Sequence, residues 1–235
     1  MDKKSYYNSD DVVESYDKQR FHSPGGQYVD RQEQSAVLHY LNNSPKDVSI
    51  LDLPVGTGRM SFTLLKEGFT RVTGADYSPQ MLTAAAQRCG ADLTLNRQDA
   101  MSTDWPDATF DIIICLRFTF HTEDIQKLLI EFHRLLKPGG RLIFDTMRWT
   151  PRMVPGPWNR LLGGRLWCYS DDRIRQLLTN MGFQELGRQA ILLLPSYLYT
   201  FVPGWLLPLV AAMEKKLPEN LRTKAVWAVT KSTFV

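Results

Sequence analysis

The chain has 235 residues, with 28 Lys and Arg against 25 Asp and Glu and a formal net charge of +3. That length supports one substantial core in a single domain, and so slight a positive balance, without any run of like charge, leaves no nucleic-acid footprint. Cys89, Cys115 and Cys168 form no CxxC pair, and His22, His39, His121 and His133 are scattered. This spacing speaks against a disulfide scaffold and against a metal site, and fits a reducing, cytoplasmic compartment.

The first 21 residues are polar and carry no apolar signal core. Residues 10–21 and 30–42 read as short helices, with HSPGGQY between them as a Pro-Gly-Gly turn. From Pro45 onward, short apolar runs alternate with helical periodicity: VSILDL (48–53), RVTGAD (71–76), DLTLN (92–96), FDIIICL (110–116) and RLIFDTM (141–147). Runs this apolar suit strands buried on both faces of a parallel sheet. Between them lie helical stretches: MSFTLLKEG, then PQMLTAAAQRCG with Ser78 as N-cap and Pro79 at the first position, then DIQKLLIEFHRLLKPGG. The alternation predicts a doubly wound α/β sheet. Residues 148–169 and 195–224, rich in Pro, Gly and aromatics, read as lid or pocket-wall insertions, the second containing a helix, LLPLVAAMEKKL. The apolar stretch 191–213 is broken by Pro195, Pro203, Pro208 and Gly204, which argues against a spanning helix and leaves peripheral membrane contact open.

The chemistry begins at ILDLPVGTGRM. A buried strand ends at Asp52 and Leu53, and Gly56 and Gly58 lead into a helix whose free N–H groups and dipole face whatever binds there. By itself the loop is equally a tight strand-to-helix turn. Asp76 closes the next strand, 18 residues beyond Gly58, where a dinucleotide fold places the acid that holds a ribose hydroxyl pair. Its other reading is an anion at the start of the following helix. Ser61 stands where an NAD fingerprint needs Gly or Ala, which disfavours a nicotinamide cofactor.

Four phrases in order carry a family resemblance: ILDLPVGTGR, GADYSPQMLTAA, NRQDAMSTDWPDATFDIII and EFHRLLKPGGRLIF. Residues 48–145 resemble class I S-adenosylmethionine-dependent methyltransferases of the small-molecule type, and YSDDRIRQLLTNMGF is similar to the family's later helix before strand six. The resemblance implies a Rossmann-like, seven-stranded, mostly parallel sheet with helices on both faces. It also implies a helical cap over the cofactor (1–45), a cofactor-binding half (46–147) and a substrate-side half with C-terminal lid insertions (148–235). Asp52, Gly56, Thr57 and Gly58 would line the methionine end of the cofactor. Asp76 would hold the ribose, Tyr77 and Met81 would pack near the adenine, and Asp99 with the Ala100 N–H would face its edge. Tyr16, Arg20 and Arg31 would close the site, an arginine pairing with the methionine carboxylate. Pro54 occupies the place of the family's first loop glycine, and it removes one N–H donor.

A sulfonium methyl is already activated, so alignment of the acceptor is the main task, and a base is needed only for some acceptors. His121, in CLRFTFHTED after the fourth strand, is the candidate base; its alternative role is to shape the pocket. Trp149, Trp158, Trp167, Tyr197, Tyr199, Phe201 and Trp205 suit walls around an apolar small acceptor, or the packing of the insertions onto the sheet. The rival readings are a tRNA or protein methyltransferase, kept open by Arg148, Arg152, Arg160 and Arg165, and a non-catalytic S-adenosylmethionine-binding module. The sequence is compatible with a monomer or a homodimer.

Overall fold

The computed structural model describes Asp17, residues 20–154, Gly156 and residues 164–232. Within these the chain forms strands β1 (Ile50–Asp52), β2 (Val72–Asp76), β3 (Thr94–Arg97), β4 (Phe110–Cys115), β5 (Leu136–Met147), β6 (Phe183–Ile191) and β7 (Lys224–Lys231). They make one sheet in the order β3-β2-β1-β4-β5-β7-β6. β1 to β5 pair in parallel, and β7 runs antiparallel to both β5 and β6. The helices are α1 (Pro24–Leu41), α2 (Arg59–Lys66), α3 (Pro79–Cys89), α4 (Ile125–Leu135), α5 (Asp171–Asn180) and α6 (Leu207–Lys216).

The apolar runs become central strands because both faces of the sheet are covered. Ile112 and Ile114 of β4 pack with Val37 of α1, Leu64 of α2 and Ala85 of α3. Their neighbours Ile113 and Cys115 point the opposite way, onto Leu128 and Phe132 of α4 and Ile174 and Leu178 of α5. Fully burying one such aliphatic side chain contributes about 1.5–3 kcal/mol, so the alternation fixes which helices lie on which face. Winding reverses between β1 and β4, and an open α/β sheet has its binding crevice at the strand ends beside such a point.

Local signals explain most helix boundaries. The Ser78 hydroxyl accepts from the Met81 N–H at 3.2 Å, with Pro79 next, as expected for the start of α3. Two boundaries differ from expectation. HSPGG is the start of α1, not a turn: Ser23 caps it by accepting from the Gly26 N–H at 3.0 Å, and Pro24 takes the first position. The glycines answer a packing need, since a Cβ on Gly25 would lie 1.7 Å from the Tyr199 carbonyl oxygen and one on Gly26 would lie 2.1 Å from that of Arg20. Likewise α4 ends at Leu135, and β5 begins at once with Leu136 opposite Phe110 before an irregularity brings Arg141 opposite Ile112. The Pro-Gly-Gly segment is thus taken into the strand. Of the helix expected over 10–21, only Asp17, Arg20 and Phe21 are described, and they are helical.

Candidate active site

The loop after β1 is held against β2 by the Val55 N–H on the Ala75 carbonyl at 2.7 Å. Gly58 has φ +77, and a Cβ there would lie 3.0 Å from the Ala85 Cα and 3.1 Å from the Cys89 sulfur of α3. Glycine is required at that position by conformation and by packing together. Gly56 also has positive φ (+53), but a Cβ on it would meet nothing within 4 Å. Backbone at Gly56 therefore faces room that a ligand can enter. Pro54, with no N–H, leaves Gly56 as a loop donor, and its N–H binds Asp76 Oδ2 at 3.0 Å.

Two buried carboxylates flank this loop. Asp52 is 2% exposed at the end of β1, and its Oδ2 accepts from both the Ser61 N–H (3.1 Å) and the Ser61 hydroxyl (2.7 Å). Burial pushes the Asp52 carboxyl up to about 7 in spite of these donors and the Arg59 charge. Asp76, at the end of β2, accepts from Gly56 N–H on one oxygen and Ser78 N–H on the other, both at 3.0 Å. Burial raises it too, against the backbone donors. Each oxygen retains acceptor capacity for a second donor. Asp76 thus anchors the start of α3 and stands beside the glycine loop.

Tyr77 is half-exposed with the Arg97 guanidinium 5.5 Å from its ring centre, and Met81 is buried at the start of α3. Asp99 follows β3, half-buried, with its Oδ1 accepting from Met101 N–H at 3.1 Å, and Ala100 is buried beside it. The Thr57 hydroxyl donates to Asp17 at 2.9 Å, and Asp17 also pairs with Arg88 of α3, so the N-terminal segment reaches over the loop. Arg20 is helical, just before the bend that leads into α1, whereas Arg31 is exposed on α1 and its charge acts on the Tyr28 phenol. Tyr16 lies outside the described residues.

Sequence reasoning missed the charges that seat α1. Arg59, the first residue of α2, pairs with Asp30 of α1 and lies 3.5 Å over the Phe21 ring, with Arg117 4.7 Å from the same ring. Glu33, 1% exposed, takes the Arg117 Nε at 2.8 Å and the Lys224 Nζ at 2.5 Å, and Lys224 also pairs with Asp145 at 2.5 Å. Burial would raise the Glu33 carboxyl, but Arg117, Lys224 and Arg59 together hold it well below the ordinary range. The one sequence hint was a lysine opening the apolar strand KAVWAV. Ser61, read only as an argument against NAD, turns out to be the double donor to Asp52.

At the far end of β4 the backbone of Arg117 is left-handed (φ +60), a costly conformation fixed here by its N–H on Asp145 Oδ1 at 2.8 Å. The short helix Thr119–His121 follows, placing His121 half-buried against Phe120 with ring centres 4.7 Å apart. Phe120 joins Met147 and Leu166 in a small apolar cluster under this corner. The aromatic insertion residues divide. Tyr199 is fully buried, Trp167 and Tyr197 are half-buried, and Trp149, Phe201 and Trp205 are exposed; Trp158 lies outside the described residues.

Residues 50–140 match the family model described as a methyltransferase domain. A demethylmenaquinone methyltransferase of Deinococcus radiodurans is 35% identical over 113 residues, covering 46% of this chain and 46% of that protein. The chain spans about half the length of the first curated relatives it matches. Among solved structures, magnesium protoporphyrin IX methyltransferase from Synechocystis PCC 6803, with bound SAH, aligns with TM-score 0.71 at 17% identity over 97% of both chains. The [4+2]-cyclase SpnF aligns with TM-score 0.66 at 20% identity, over 89% of this chain and 84% of that one. Likeness at such identities concerns the fold, and the cyclase shows that one fold hosts different chemistries. The domain match falls on the strands that carry Asp52, Gly56 and Asp76, so residues 50–140 match a methyltransferase domain, in a chain whose fold is that of the class I S-adenosylmethionine-dependent enzymes.

Proposed function

We propose that the protein transfers the methyl group of S-adenosylmethionine to a small acceptor with an apolar body, bound beyond the ends of β4 and β5. The observation that carries this reading is the juxtaposition of two buried carboxylates with the open side of Gly56. Asp52, its carboxyl raised by burial, gains most from a cation such as the methionine ammonium, and Asp76 presents its oxygens to paired hydroxyls. Bound S-adenosylmethionine supplies an activated methyl, so the residues of this chain have to orient the acceptor and exclude water. Phe120, Met147 and Leu166 offer the apolar contact, and His121 stands where it can take a proton from a hydroxyl acceptor. The Deinococcus radiodurans relative is named a demethylmenaquinone methyltransferase, so a small-molecule acceptor has a precedent among the relatives.

A small acceptor is favoured over a macromolecule by how the arginines after β5 are used. Arg148 pairs with Asp171 at 3.1 Å, Arg152 donates to the Gly164 carbonyl at 2.8 Å, and Arg165 lies 4.2 Å over Trp167. Arg160 lies outside the described residues.

Methyl-labelled S-adenosylmethionine incubated with the protein and a cell extract, fractionated into organic, aqueous and macromolecular phases, tests the reading. Label in the organic phase is expected. Label in RNA or protein would replace the acceptor class, and cofactor binding without any transfer would make the chain a binding module. With an acceptor in hand, His121→Ala should slow turnover about a hundredfold, the size of lost general-base assistance, while cofactor affinity stays within about threefold. An unchanged rate leaves His121 a structural residue.

A further inference from the structure

We propose that the face formed by Phe201, Trp205, Leu209 and Met213 docks onto the surface of a bilayer containing anionic phospholipid. Phe201 and Trp205 are each 80% exposed, Leu209 57% and Met213 42%. Trp205 is the middle residue of the glycine-led turn Gly204–Leu206, which runs directly into α6, so Trp205, Leu209 and Met213 follow one another at four-residue steps. That spacing stacks them along one side of a helix. Exposed Trp205, Leu209 and Met213 at this spacing, with Phe201 exposed just before the turn, are what a surface-lying helix offers to the boundary between headgroups and acyl chains.

Charge selects the occupant. Between Leu193 and Leu217 the sequence holds a single acid, Glu214, and two cations, Lys215 and Lys216. Glu214 is turned into the protein, where it accepts from the Tyr28 and Tyr199 hydroxyls and from the Leu193 N–H at 2.8 Å. Lys215 and Lys216 are exposed at the end of α6. The ionised groups that this segment presents outward are therefore all positive, adjoining the apolar stripe. A second copy of the same face would set lysines against lysines, whereas lipid phosphates pair with them, at about 1 kcal/mol per basic residue near an anionic surface.

The stripe is also held outward. Glu214 ties α6 to α1 through Tyr28, and the Tyr199 backbone sits against Gly25 so closely that no Cβ fits between them. Rolling the stripe inward would bury Lys215 and Lys216 and expose that carboxylate clamp. At 10 residues α6 is about 15 Å long by helix rise, half of a hydrocarbon core, so it lies on a membrane and does not cross it. Among the described residues no helix is long and apolar enough to span one. The partner on the other side of the stripe's support is α1, whose opposite face carries Asp30 and Glu33 against Arg59 and Arg117 beside the glycine loop. Docking here would bring the acceptor side of the molecule to the membrane surface, although the docking itself does not depend on methyl transfer.

The test is co-sedimentation of the full chain with phosphatidylcholine vesicles and with vesicles containing phosphatidylglycerol, alongside light scattering in free solution. Binding to the anionic vesicles is expected, weakened severalfold as salt rises from roughly 0.1 to roughly 0.5 M. Phe201→Ser with Trp205→Ser should cut the bound fraction about tenfold or more, and Lys215→Glu with Lys216→Glu should abolish the preference for anionic lipid. Circular dichroism and S-adenosylmethionine affinity report whether each variant folds. Absence of sedimentation with either vesicle, binding indifferent to the Phe201 and Trp205 changes, or a dimer that the same changes dissolve would each overturn the proposal.

Discussion

In the cofactor half of the sheet, buried polar side chains serve their own neighbourhood. Asp52 is satisfied by Ser61, nine residues on, Asp76 by Ser78 and Gly56, and Ser78 caps the turn it opens. Around the cap and the C-terminal half, the buried charges act across the chain: Lys224 meets Glu33 at a separation of 191 residues, and Glu214 meets Tyr28 at 186. The first arrangement leaves carboxylate oxygens beside open space at Gly56, and the second spends its charges holding α1 and α6 in place. One half keeps buried acceptors beside an open loop, and the other ties distant segments of the chain together. The contrast is breakable by substitutions that hit one half and spare the other.

The largest effect is expected at Lys224. It is 1% exposed between Glu33 and Asp145, so Lys224→Met removes the buried cation that the two carboxylates share, leaving Glu33 to Arg117 and Arg59 and the Asp145 charge uncompensated by lysine. Removing one partner of such a network costs about 3–5 kcal/mol, which for a chain of this size is roughly a 10 °C fall in Tm. Adding Asp145→Asn should recover part of it. Calorimetry of the two variants checks this, and a Tm within a degree or two of the parent would mean that α1 is not clamped by charge.

Asp76→Ala strikes the other half. The fold should survive, because the strand pairing of β2 and the Ser78 hydroxyl cap of α3 remain, but the paired acceptor for a ribose disappears. Two hydrogen bonds to a charged acceptor, at about 1.5 kcal/mol each, correspond to roughly a hundredfold loss of S-adenosylmethionine affinity. Titration calorimetry with the cofactor measures it. Affinity close to that of the parent would reduce Asp76 to a helix anchor.

Those two substitutions also mark what was legible in the sequence. The strands, the loop glycines, the cap of α3 and the two acids of the cofactor half rest on local signals: apolar runs, a turn that needs positive φ, a serine before a proline. The seven-stranded, mostly parallel character of the sheet followed from the family resemblance, and its strand order came with the structure. Glu33 and Lys224 carry no local signal, since each contact depends on how α1 lies across β7, and a lone lysine in an apolar strand does not say where its partner is. At HSPGG the sequence held two conflicting signals, Ser-Pro for a helix start and Gly-Gly for a turn. Packing against the Tyr199 carbonyl decided between them. The aromatic insertions stayed open between pocket wall and packing for a similar reason: composition does not tell a buried Tyr199 from an exposed Trp205 six residues later.

The finest distinction lies at Asp52 and is drawn by pH. Its carboxyl is pushed up to about 7 by burial, from an unfolded value near 3.9, so between roughly pH 4 and 7 the folded chain holds a proton that the unfolded chain has released. The contribution of this group to stability is accordingly present at low pH and declines as pH rises through that window. Cofactor binding runs the other way. A methionine ammonium favours the ionised carboxylate, so binding below pH 7 must expel the proton. Affinity should then climb about tenfold per pH unit up to about 7, flatten, and turn over above roughly 8 as the ligand's own ammonium deprotonates. Asp52→Asn keeps the shape beside Ser61 but has no proton to lose. Its low-pH limb should be flat and its affinity at pH 7 below that of the parent. Calorimetry in two buffers of different ionisation heat counts the released proton directly. A parent profile already flat between pH 5 and 7 would place the ammonium elsewhere, and would leave Asp52 as the partner of Ser61 alone.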